Sequence, residues 1–142
     1  MEEFFESPLD MRRGRLAAIV LHQMTDYWFL EYGSAIDGSF ERGKISVLRD
    51  QLSALCADFG LIGGVADATK HASLRNGSRQ ITHADQVTRN PGIFGAPFGT
   101  AMFGEAAIVM ISLNDGTERP LMGPVREVLS MWRTLLDRVS AK

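Results

Sequence analysis

The period of the hydrophobic pattern changes along this chain, and that change constrains its fold more than any other feature. Up to about residue 76, apolar side chains recur at steps of three and four, the spacing of one helix face. From about residue 79 to residue 122 they alternate or run together, as in strands, and helical spacing then returns. This order predicts an α+β protein: a helical bundle with a small antiparallel β-sheet inserted before the C-terminal helix.

Three helices are predicted before the sheet, in a single domain that spans residues 1–142, with residues 1–9 as a flexible acidic lead-in. The first helix covers residues 10–32, and the second covers residues 45–59 and stops at Gly60, a residue typical of helix ends. The third helix starts at Leu61 and ends near residues 76–77. The apolar arc of the first helix contains Leu16, Ile19, Val20, Met24, Tyr27 and Leu30, and Leu21 and Trp28 widen it, so this helix is expected to be contacted on several sides.

The β segment is predicted from three patterns. Residues 79–88 alternate as in a half-exposed strand, and residues 106–113 form the most apolar strand pattern in the chain. Residues 114–116 (Asn-Asp-Gly) are a turn signal that leads into a partner strand over residues 117–122. Because Pro120 lacks a backbone N–H donor, this partner should be an edge strand.

The last helix is predicted to open at Gly123 and Pro124, since proline favours the first turn of a helix. Its apolar stripe is unbroken: Val125, Val128, Leu129, Trp132, Leu135, Leu136 and Val139. Trp132 is therefore expected to be buried against the first two helices.

Composition narrows the function classes. The formal net charge of −2 argues against attraction of nucleic acid to the whole surface, although a local basic patch stays open. Cys56 is the only cysteine, so no intrachain disulfide forms, and its apolar setting predicts an inert, buried thiol. The N-terminus lacks the pattern of a signal peptide, and no apolar run approaches the roughly 18–20 residues that span a bilayer. A cytoplasmic protein without membrane contact is expected.

The third helix carries the strongest candidate site. On its predicted polar side, Asp67 and His71 lie one helical turn apart, with Lys70 beside them and Gly63 and Gly64 leaving the backbone open. A carboxylate can fix the tautomer of an imidazole that acts as a general base, and an ammonium can stabilise a developing anion. The same pattern is also typical of a solvated helix face, so both interpretations stay open.

A second polar wedge lies on the first helix, where Arg15, His22 and Asp26 fall close together on a helical wheel. It is either a narrow exposed strip or one wall of a cleft that faces His71. The three histidines and nearby acids also raise a metal site, with Asp67 and His71 joined by His22 or His83. No compact ligand motif such as HExxH is present, and neither a metal nor another cofactor is predicted.

Residues 91–104 (PGIFGAPFGTAMFG) contain three Phe-Gly pairs. The phenylalanines either fold back onto the core or line a lid or a partner-binding loop. A weak phosphate-binding patch is suggested by the basic residues on either side of the predicted first strand: Lys70, Arg75, Arg79 and Arg89.

The run from Asp67 to His71 (DATKH), the β segment and the tryptophan-bearing last helix together resemble a group of small uncharacterised bacterial and phage proteins. A more distant resemblance is to the HEPN superfamily of helical proteins, which includes RNA-cleaving toxins and defence nucleases. Its hallmark is an Arg and a following His with four to six residues between them, and Arg15 and His22, with six residues between them, match its long form. Gly63 and Gly64 stand where an Arg upstream of His71 is expected.

The resemblance implies an RNA-binding or metal-independent RNA-cleaving protein of a defence or toxin system. His71 would act as general base, assisted by Asp67, with Lys70, Arg15 and His22 contacting the anion. The alternatives are a non-enzymatic interaction protein, such as an antitoxin, an immunity protein or a phage accessory factor, and a small-molecule-binding domain, either of which would use residues 91–104. Since the first helix is apolar over more than half of its circumference, a homo-dimer is expected.

Overall fold

The computed structural model describes residues 2–74, 80–90 and 108–141, and in these ranges the chain forms a helical bundle with one three-stranded sheet. The predicted α+β class, with the sheet before the C-terminal helix, is confirmed. The helices and strands are α1 (Glu2–Glu6), α2 (Met11–Tyr32), α3 (Ile45–Leu55), α4 (Asp58–His71), a 3₁₀ turn (Ala84–Gln86), β1 (Val87–Asn90), β2 (Ile108–Ser112), β3 (Glu118–Pro120) and α5 (Met122–Ser140).

Helix α2 begins and ends where the sequence predicts. The Asp10 side chain accepts a hydrogen bond of 3.1 Å from the backbone N–H of Arg13, which caps the helix start. Gly33 ends the helix with a φ of 64°, a conformation that glycine adopts without strain. Where the sequence suggested a flexible lead-in, residues 2–6 form α1, and its Phe4 side chain is buried.

The junction between the second and third helices differs from the prediction. Helix α3 ends at Leu55, so Phe59 and Gly60 belong to the first turn of α4 and Gly60 is not a helix stop. The periodicity hid this break because Leu52 and Phe59, on either side of it, both enter the core. Helix α4 ends at His71, earlier than predicted, since Ala72 leaves the helix with a φ of 60°.

Trp132 of α5 lies at the centre of the core, as predicted. Its indole Nε1 donates a hydrogen bond of 3.0 Å to the carbonyl of Leu21 in α2. The indole ring lies 5.9 Å from that of Trp28 and 6.4 Å from the ring of Phe59, measured between centroids. Trp132 therefore joins α5 to both α2 and α4. Trp132 was predicted to pack against the first two helices; it does contact α2, but its other ring contact, Phe59, belongs to α4.

The sheet is antiparallel in the order β1-β2-β3, with Val87 opposite Ile111 and Met110 opposite Pro120. Pro120 thus lies on an edge strand, as predicted, and Gly116 forms the preceding turn with a φ of 86°. The outer strand β3 is fixed to α4 by two hydrogen bonds, of 2.9 and 3.3 Å, from the Arg119 guanidinium to the Asp58 carboxylate.

The strand predicted over residues 79–88 is largely wrong. In its described part, only Val87 and Thr88 belong to a strand, and residues 84–86 form the 3₁₀ turn. The side-chain carbonyl of Gln86 accepts hydrogen bonds of 2.7 and 2.8 Å from the backbone N–H groups of Thr82 and His83. These local bonds satisfy the donors that a strand ladder would have used.

The position of Trp132 generates the first prediction. Trp132→Ala should lower the free energy of unfolding by about 3–5 kcal/mol, because it leaves a cavity where three helices meet. Urea unfolding measures this loss, with Leu136→Ala as a matched control, since Leu136 lies on the same helix but is exposed. A Trp132→Ala variant that unfolds at nearly the wild-type urea concentration would contradict this placement.

Candidate functional site

A polar cleft of about 570 Å³ lies where α2, α3 and α4 meet. It combines an imidazole, acidic and basic side chains, a hydroxyl and three glycines in one small volume. The residues that line it are His22, Arg49, Asp50, Ser53, Ala57, Phe59, Gly60, Gly63, Gly64, Asp67 and Gln80.

One wall of the cleft is a face of α4 with few side chains. Gly60, Gly63, Gly64 and Asp67 recur at steps of three and four, so they share one side of the helix. A Cβ atom at Gly63 would lie 3.2 Å from two atoms of the His22 ring, whereas a Cβ at Gly60 would meet nothing within 4 Å. The glycine at position 63 therefore lets the imidazole approach α4 closely, and Gly60 leaves open space.

His22 is the central titratable group of the cleft. Its Nδ1 lies 4.0 Å from Oδ1 of Asp67, too far for a direct hydrogen bond but close enough for a strong charge interaction. Burial lowers the pKa of His22, and the positive charges of Arg49 and Lys70 lower it further, while Asp67 and, more weakly, Asp26 oppose the shift. The imidazole is consequently neutral near pH 7, the form that can accept a proton.

Charged side chains from α2, α3 and α4 surround His22. Arg49 of α3 lies 3.8 Å from Asp26 of α2, and both side chains are largely exposed at the cleft rim. Lys70 lies one turn beyond Asp67 on α4 and is exposed. A ligand in the cleft would thus meet a neutral base, the carboxylates of Asp50 and Asp67 and the guanidinium of Arg49, with Lys70 nearby but outside the lining.

The structure brings together only some of the predicted site residues. His22 and Asp67 lie side by side. Gly63 and Gly64 belong to the same cleft, but both are buried, whereas the sequence predicted that they lie on an open polar face. Lys70 and His71 are exposed at the C-terminal end of α4. The cleft wall opposite the glycine face is therefore formed by His22, not by a wedge that faces His71.

The predicted wedge of Arg15, His22 and Asp26 is not a continuous strip. Asp26 is exposed, but His22 is buried against Gly63. Arg15 donates hydrogen bonds of 2.7 and 3.3 Å to the carbonyls of Ala84 and Val87. Its guanidinium thus holds the 3₁₀ turn and β1 against α2, and is directed at backbone carbonyls.

Four members of the predicted apolar arc of α2 are not covered by the part of the chain that the structure describes. Leu16, Val20, Tyr27 and Leu30 are 48%, 50%, 73% and 81% exposed. The face of α2 that enters the core contains Leu21 and Trp28, both members of the arc, together with Gly14, Ala17, Ala18, His22 and Thr25. The small residues on this face let α4 and α5 approach the α2 backbone closely. A hydropathy pattern does not predict this close approach, because it reflects only how apolar each side chain is.

Sequence reasoning missed the contribution of α3. Arg49 and Ser53, one turn apart, and Asp50 line the cleft, but their spacing matches an ordinary exposed helix face. Within the described ranges, no group of three His, Cys, Asp or Glu side chains is placed to hold a metal ion. Cys56 is half-buried, and burial raises the pKa of its thiol.

Some predicted features lie outside the described residues. These are the Phe-Gly segment 91–104 and the basic residues Arg75 and Arg79. Comparisons with protein families, with curated proteins and with solved structures found no match to this chain. Among the described helices, none is long and apolar enough to cross a membrane.

The two glycines of the cleft wall give a matched pair of substitutions. Gly60→Ala should raise the free energy of unfolding by up to about 1 kcal/mol, because alanine favours the helix and meets open space. Gly63→Ala should give a smaller gain or a loss, since its methyl group displaces the His22 ring. Urea unfolding measures the difference, and the His22 ring signals in an NMR spectrum should shift only in the second variant. Equal stabilisation by both substitutions would contradict the close contact.

The lowered pKa of His22 makes stability depend on pH. Its ordinary value is 6.5, and the folded value is lower, so between the two the unfolded chain binds more protons than the folded protein. Stability therefore falls as the pH falls through this window, while above it the effect vanishes. Between about pH 7.5 and pH 5.5, wild type should lose more unfolding free energy than His22→Gln, as measured by urea unfolding. Parallel pH profiles would contradict a buried, neutral His22.

Proposed function

We propose that this protein binds RNA at the α2–α3–α4 cleft and cleaves it without a metal ion, as an HEPN-like protein of a defence or toxin system. The observation that carries the proposal is the neutral imidazole of His22, held beside Asp67 and bordered by Arg49 and Lys70. A base, a carboxylate that stabilises its protonated form and cations near the phosphate are groups that can promote phosphodiester cleavage at a ribose.

The proposed reaction uses the hydroxyl of the substrate itself. His22 accepts the proton of a ribose 2′-hydroxyl, and the 2′-oxygen attacks the adjacent phosphorus. The bond from phosphorus to the 5′-oxygen breaks, and that oxygen takes a proton from solvent. The products are a 2′,3′-cyclic phosphate and a 5′-hydroxyl end. Asp67 stabilises the imidazolium that forms, while Arg49 and Lys70 stabilise the added negative charge on the phosphate.

This assignment gives His22 the role of general base that the sequence pattern suggested for His71. The reason is burial: a desolvated imidazole with a lowered pKa is neutral at physiological pH and can accept a proton. His71, which the sequence predicted as the base, is exposed at the end of α4 and is proposed here, with Lys70, as a contact to the RNA chain.

The experiment measures cleavage of end-labelled single-stranded RNA in the presence of a chelator. Wild type should produce fragments with 2′,3′-cyclic phosphate ends, and His22→Gln should reduce the rate by at least about 100-fold. Asp67→Asn should also slow cleavage. His83→Gln is the matched control, because His83 is exposed and lies outside the cleft lining.

A second pair of variants tests whether the cleft itself is the site. Gly60→Leu places a large side chain in the cleft opening, whereas Gly123→Leu adds the same side chain to open space near the start of α5. Gly60→Leu should abolish RNA binding and cleavage, and Gly123→Leu should retain both. Wild-type protein that neither binds nor cleaves RNA, or cleavage that survives His22→Gln, would refute the proposal.

A further inference from the structure

The exposed apolar residues of α2 follow a regular pattern. Leu16, Val20, Gln23, Tyr27 and Leu30 are separated by alternating steps of four and three residues, which is the heptad spacing of a coiled-coil seam. These five residues, here called the α2 seam, are all exposed in the structure. We infer that the α2 seam binds the same seam of a second copy of this chain, in an antiparallel arrangement.

Charge complementarity selects the second copy as occupant and sets its direction. Arg12 and Glu31 are exposed at opposite ends of the α2 seam. If two α2 helices pair antiparallel about a twofold axis between positions 21 and 22, Arg12 lies opposite Glu31 of the second copy. The same symmetry repeats this contact at the other end. A parallel pairing would place Arg12 opposite Arg12, with like charges in contact.

The same alignment matches the apolar side chains. It sets Leu16 opposite Tyr27 of the second copy, and Val20 opposite Gln23 near the axis. Gln23 is the one polar member of this apolar seam, and a polar residue near the middle of such a seam can fix the register of paired helices.

A hollow beside the α2 seam provides a place for the large side chains. It has a volume of about 140 Å³, lies between α1 and α2, and is lined by Glu3, Phe4, Arg13, Leu16, Ala17 and Val20. In the antiparallel alignment, Tyr27 and Leu30 of the second copy lie opposite Leu16 and Arg13, at this hollow. Insertion of a large side chain between residues of the facing helix is the contact that stabilises coiled coils.

The length of the α2 seam limits the expected affinity of the dimer. Helix α2 has 22 residues and is about 33 Å long, so one helix pair forms an interface at the small end of the range for specific complexes. The dimer should therefore form in the micromolar range and dissociate on dilution.

Sedimentation equilibrium of the full chain without RNA, from low to several hundred micromolar, tests the inference. Wild type should change from monomer to dimer across this range. Tyr27→Glu should weaken dimerisation by at least about tenfold, because a large central anchor is lost and a charge is placed in the seam. Phe40→Glu is the control, since Phe40 is 69% exposed but lies off α2, and it should dimerise like wild type.

Charge reversal tests the antiparallel direction. Arg12→Glu and Glu31→Arg should each weaken the dimer several-fold, because each places like charges opposite one another twice. The double variant should recover the wild-type affinity to within about twofold. Failure of the double variant to recover would overturn the antiparallel register. A monomer at every concentration would overturn the inference and assign the seam to another partner, with the proposed RNA chemistry still to be judged by its own assay.

Discussion

The close approach of α2 and α4 is the constraint on which the rest of this structure depends. Small residues on α2 and Gly63 on α4 allow the two helix backbones to approach closely. Trp132 of α5 packs in the same core and donates a hydrogen bond to the Leu21 carbonyl of α2. Because interiors are close-packed, this geometry determines which other side chains fit between the helices. His22 occupies one such position, so the fold and the candidate site have the same physical origin.

Much of the fold follows from periodicity. The bounds of α2, the strand around Val109, the turn at Gly116 and the edge position of Pro120 agree with the sequence because each depends on local chemistry. The break at Cys56 and the 3₁₀ turn before β1 could not be predicted in the same way. At the first, the apolar pattern continues across the junction, and at the second, side-chain hydrogen bonds of Gln86 replace a strand ladder.

The candidate site was only partly predictable, because hydropathy gives no measure of how closely two backbones approach. The apolar arc of α2 includes the buried Leu21 and Trp28, but it also includes the exposed Leu16 and Tyr27 and omits the buried alanines and His22. Asp67, a predicted site residue, does line the cleft, yet its neighbour His22 comes from a helix far away in sequence. Arg49 gave no signal at all, since a charged residue on an amphipathic helix has no distinguishing pattern.

The sheet is fastened to the helices at both of its outer strands by arginine, but by two different kinds of bond. On the β1 side, Arg15 binds neutral backbone carbonyls, and on the β3 side, Arg119 binds the carboxylate of Asp58. Dissolved salt screens the second attachment and has little effect on the first. The two outer edges of the sheet should therefore respond differently to ionic strength, with the attachment of β3 to α4 weakening before that of β1 to α2.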